Sequence, residues 1–155
     1  MKRRALLSAT IFIVAGCVAP KSISAIAADV ALIDSGIQTI LAGLAVTGSI
    51  NPADLARATS LAEQVHAAAL TVAADTAGVS TAPLARQIIA TVQSLEPIVV
   101  RYLPPASGYA VLMTAAISLL PALALAFGAP MAVKPGKAGP TISQEDARTI
   151  LRRGA

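Results

Sequence analysis

Cysteine and histidine occur once each in this chain, tryptophan is absent, and tyrosine and phenylalanine contribute two residues each. Each shortage removes a class of function. The lone Cys17 cannot close an internal disulfide, so the fold has to stand on its core. The lone His66 leaves no histidine pair for a metal and little basis for a Ser-His-Asp arrangement. His66 follows Val65 at the edge of an apolar stripe, where a flank histidine without a role is the simplest reading. Glu63, three residues earlier, is its expected solvated neighbour. Asp29 and Asp34 are five apart and fall on different helix faces, giving no carboxylate pair for acid and base work. No glycine-rich phosphate loop follows a strand, and no strand is legible. The sequence therefore predicts no catalysis, no metal site and no cofactor.

Charge is scarce as well, with 12 Lys and Arg against 8 Asp and Glu and a formal net charge of +4. Three of the cations are Lys2, Arg3 and Arg4, and without them the net charge falls to +1. Beyond residue 16 the aromatics are Tyr102, Tyr109 and Phe127, and no basic face gathers around them. Single-strand binders need stacking platforms along a positive groove, so nucleic acid is not an expected partner.

What the chain has in plenty is apolar residues, 55% of the total. Lys2-Arg3-Arg4 precedes an apolar run from Ala5 to Ala15, which is the physical form of a secretory signal: the charges stay on the cytoplasmic side while the apolar stretch enters the membrane. The run is too short to span comfortably. Val14-Ala15-Gly16-Cys17 then resembles the lipobox of bacterial lipoproteins. That resemblance implies a signal peptide over 1–16, cleavage between Gly16 and Cys17, and lipidation of Cys17 as the new N-terminus. Several acyl chains at ~0.8 kcal/mol per buried CH₂ hold a protein on a membrane far more firmly than one. Val18, standing where an aspartate would mark retention at the inner membrane, implies a periplasm-facing protein of the outer membrane. Two other readings remain open: Ala25-Ile26-Ala27 as an ordinary A-x-A cleavage site, or an uncleaved apolar anchor.

The 139 residues that follow residue 16 suit one domain. From about Ser24 to Val46, Ile26, Val30, Ile33, Ile37, Ile40 and Leu44 step by four and three, an amphipathic helix with Asp29, Asp34 and Gln38 on its polar side and a stop at Gly48-Ser49. Asn51-Pro52-Ala53-Asp54 reads as a capped start, continued by Leu55, Ala58, Ala62, Val65, Ala69 and Val72 to a stop at Gly78. Ser80-Thr81-Ala82-Pro83 opens a third helix through Leu84, Ile88, Val92, Leu95, Val99 and Tyr102, in which Pro97 predicts a kink near Ser94-Leu95 or a break.

Residues 108–128 carry no charge and are long enough to cross a bilayer, with Ala110, Thr114, Ser118, Ala122 and Ala126 forming a row of small residues. The same segment also reads as the central helix of a soluble bundle, apolar all round because three amphipathic neighbours surround it. A Pro/Gly linker over 129–140 precedes a short helix within 141–155, begun by Ser143-Gln144-Glu145-Asp146, with Ala147, Ile150 and Leu151 as a narrow apolar edge. The plain reading of that helix is a solvated terminus; the sharper one is a tethered docking element. In style the chain is similar to small helical exported proteins of bacterial and prophage genomes, a group with no firm activity to carry over.

The expected protein is all-α: three long amphipathic helices and one very apolar helix within 17–128, then the linker and the short helix. Its expected role is that of a lipid-anchored adaptor or spacer of the cell envelope, with an envelope protein or a second copy as partner. The alternative is a small integral membrane protein of holin or lysis-accessory type that spans the bilayer at about 108–128.

Overall fold

A computed structural model describes residues 23–75, 81–105, 107–127 and 142–154. They form five helices, α1 (Ile23–Thr47), α2 (Pro52–Ala74), α3 (Thr81–Val100), α4 (Gly108–Ala126) and α5 (Gln144–Gly154). No strand occurs among the described residues.

The periodic stripes become the core. All six stripe residues of α1 are buried, from Ile26 to Leu44. Gly48 ends the helix with φ +61°, a left-handed conformation that favours glycine, and its N–H reaches back to the Ala45 carbonyl. At the start of α2, Asn51 Oδ1 accepts from the Asp54 N–H at 2.8 Å, and Pro52 occupies the first helical position. Ala58, Ala62, Val65, Ala69 and Val72 are buried, and Leu55 is half-buried against the core.

Of the two outcomes expected at Pro97, the break into two helices does not occur, since α3 runs on to Val100. Pro97 stands in the last turn and is exposed, and its missing N–H frees one carbonyl a turn before the helix ends. Leu95, Ile98 and Val99 are buried on either side, and their packing holds that turn. Pro121 is likewise accommodated on an exposed face of α4.

Helices α1 to α4 form a square. Packing joins α1 to α2, α2 to α3, α3 to α4 and α4 back to α1, with no contact across either diagonal among the described residues. Turns of a few residues set consecutive helices antiparallel. The apolar α4 is a core helix of this bundle, buried along Leu112, Met113, Ala115, Ala116, Leu119, Leu120 and Leu123. Its three neighbours are α1, α3 and α5, so α5 takes the place that the sequence gives to a long amphipathic helix. The hydroxyls of Thr114 and Ser118 donate to the carbonyls four residues earlier, which satisfies them inside the helix.

The solvated-terminus reading of α5 is corrected. Ser143 caps it as expected, but Ala147 and Leu151 are fully buried and the helix lies against α4 and α1. Room for it comes from α1: a Cβ on Gly36 would collide with the Leu151 side chain.

Candidate functional site

Gly16 and Cys17 lie outside the described residues, as do the whole of 1–16 and the linker 129–140. The first described residue, Ile23, opens α1 six positions after Cys17. The rival cleavage site Ala25-Ile26-Ala27 is part of α1, and its Ile26 is a core residue.

Three polar constellations tie the bundle together. In the first, Arg148 of α5 grips Asp29 of α1 through two parallel bonds, Nε to Oδ1 at 2.6 Å and Nη2 to Oδ2 at 2.8 Å. The side chains are 25% and 8% exposed. Asp29 therefore does not face water, contrary to its place off the apolar stripe; burial is tolerated because a guanidinium fork answers both of its oxygens. The hydrogen bonding to Asp29 raises the Arg148 pKa above its ordinary value, against the desolvation that would lower it.

In the second, His66 Nδ1 lies 2.7 Å from Asp34 Oδ2, joining α2 to α1. The sequence-expected partner Glu63 is on the same helix, whereas Asp34 faces His66 from the neighbouring one. Asp34 Oδ1 is buried with no hydrogen-bond partner. A carboxylate that orients an imidazole is two thirds of a nucleophile-activating arrangement, but no nucleophile is bonded to His66 among the described residues. Nor do the described residues group three or more His, Cys, Asp or Glu for a metal.

The third closes the far end. Tyr102, just past α3, donates its phenol O–H to Asp54 Oδ2 at 2.5 Å; Asn51 Nδ2 donates to the Tyr102 oxygen at 2.6 Å, and Arg101 approaches Asp54 at 3.3 Å. The Tyr102 bond is the main cause that lowers the Asp54 pKa, opposed by burial and helped by Asn51 and Arg101. The same bond raises the Tyr102 pKa.

Beside this end, the start of α4 and the end of α5 enclose an open cleft of about 600 Å³. Tyr109, Leu112 and Ile150 line it with Thr39 of α1, and Arg153 brings the one charged side chain. Tyr109 lies against the backbone of α1 at Gly43, where any Cβ would collide with its ring.

Sequence reasoning missed Arg148, Tyr102 and Gly43 as positioning residues. One signal was present: Asp29, Gly36 and Gly43 recur every seven residues, a second line along α1. Protein-family models, curated proteins and solved structures contain no match to this chain.

Proposed function

We propose that the chain is an exported, lipid-anchored helical bundle of the cell envelope that works as an adaptor or spacer. The observation that carries this reading is the short distance between the lipobox cysteine and the bundle. Five residues separate Cys17 from Ile23, a tether of about 20 Å at full extension. Acyl chains on Cys17 would keep the start of α1 close to the membrane. The 25 residues of α1 then carry the opposite end outward by roughly 37 Å at 1.5 Å per residue. The turns at 48–51 and 101–107 and the cleft are thereby presented to a partner, either an envelope protein or a second copy.

Burial of 56% of the most apolar stretch of α4 supports its reading as a bundle helix, although Val111 and Leu125 of the same helix are exposed. Both α1 and α4 are long and apolar enough to cross a membrane, a property that core helices share. For α4 to span, as the holin-like alternative requires, it would have to leave α3 and α5, which are not long and apolar enough to follow it, and expose their core faces. Cleavage behind Ala27 would remove the first turn of α1 with Ile26, which favours processing at Cys17.

Metabolic labelling with a palmitate analogue tests the proposal. Wild type should incorporate label and show the mass of a chain starting at Cys17 plus acyl groups, while Cys17→Ser should be unlabelled. An unlabelled wild-type chain of full length, resistant to alkaline extraction, would instead favour the membrane-spanning alternative.

A further inference from the structure

The cleft is a candidate binding site in its own right. Small-molecule sites are concavities of roughly 300–1,000 Å³, mostly apolar, with a few polar groups that fix orientation. This one has a comparable volume, about 600 Å³, and is shallow and open to solvent on one side. Leu112 from α4 and Ile150 from α5 give it aliphatic walls, and Tyr109 is its one ring.

Of its hydroxyls, Thr39 donates to the Ser35 carbonyl at 3.0 Å and Ser107 accepts from the Ala110 N–H at 3.2 Å, while the Tyr109 phenol adds a neutral donor. Arg153, in the last turn of α5, makes no ion pair among the described residues. Its guanidinium is the one charged group in the cleft lining, and it matches a carboxylate through two parallel N–H···O bonds. Aliphatic walls along two packed helices, with one cation among them, call for an aliphatic body with one anionic end.

We infer that the cleft binds a single-chain aliphatic carboxylate of the fatty-acid type, with its head on Arg153 and its chain between Leu112 and Ile150. A neutral alcohol of the same length would strip water from the guanidinium without replacing its charge partner, and an alkylammonium would be repelled. The inference goes beyond the anchoring proposal and is independent of it, because described helices alone build the cleft.

The test is photo-crosslinking of the full-length chain, held in lipid nanodiscs, with a diazirine-bearing dodecanoate, followed by peptide mapping. Labelling should concentrate in 107–112 and 150–154. Arg153→Gln should reduce it about tenfold, and dodecanoate should compete about tenfold better than dodecanol, as expected of a lost or absent charge-assisted pair. Arg153 is exposed, so the variant should retain its helical circular dichroism, which is recorded alongside. Labelling spread evenly over α2 and α3, indifferent to Arg153→Gln, or competed equally by dodecanol would overturn the inference. Cys17→Ser should leave the photolabel unchanged, so failure of the anchor and failure of the cleft give different results.

Discussion

Two faces of α1 are held in opposite ways. Ile26, Val30, Ile33, Ile37, Ile40 and Leu44 fill the core with branched side chains, whereas Asp29, Gly36 and Gly43 offer one carboxylate and two gaps. Into that second line fit Arg148, Leu151 and Tyr109. The first face supplies burial, each large side chain contributing about 1.5–3 kcal/mol, and would accept many partner helices. The second accepts few, since one charge must be matched and two side chains must find their holes. Burial holds this bundle together, and the sparse face decides where α5 and the start of α4 sit.

The sharpest way to break the contrast is to remove the charge match. Arg148→Met should cost about 2–3 kcal/mol in urea unfolding, toward the low end for a broken buried pair because Arg148 is a quarter exposed. Adding Asp29→Leu should recover most of that loss. If the single variant costs under about 0.5 kcal/mol, the pair does not position α5. Next in size is Gly43→Ala, which drives a methyl into the Tyr109 ring and should cost about 1–3 kcal/mol by overpacking. Tyr109→Ala in the same chain should relieve it, and the lack of such relief would show that the gap is incidental.

The smallest effect sharpens the comparison at the exposed end. The Asp54 pKa is lowered on folding, so its contribution is present above the usual carboxylate value of 3.8 and is lost as pH falls through the folded value below that. The Tyr102 pKa is raised, so its contribution is present below 10.0 and is lost as pH rises through the folded value above that. Asp54→Asn should therefore flatten both limbs of a stability profile, its small cost falling in the neutral range between them and vanishing at either extreme. A profile identical to wild type would mean that the Tyr102 contact is idle.

The apolar face of α1 was legible because six residues repeat the helical period, and the start of α2 because Asn51-Pro52 and Asp54 each carry a local preference. The sparse face was not. Periodicity placed Asp29 on the polar side, and its partner lies 119 residues away, beyond the reach of any local spacing. Gly36 and Gly43 read as missing side chains rather than as room for others. The His66 bond escaped for the same reason: Glu63 was close in sequence, Asp34 only in space. The cleft draws on α1, α4 and α5 and has no motif of its own, while Gly16 and Cys17 were legible as a motif but lie outside the described residues.

The tie between Asp29 and Arg148 also sets a timetable. Ribosomes deliver residues in order, so α1 emerges before α5 and waits for nearly the whole chain before the Arg148 fork can reach Asp29 and Leu151 can cover Gly36. Until then four helices can collapse, but the last wall of the core is absent and the assembly stays loose. On the export reading proposed above, this delay would favour threading over premature closure, with the eleven-residue α5 as the latch that shuts after passage.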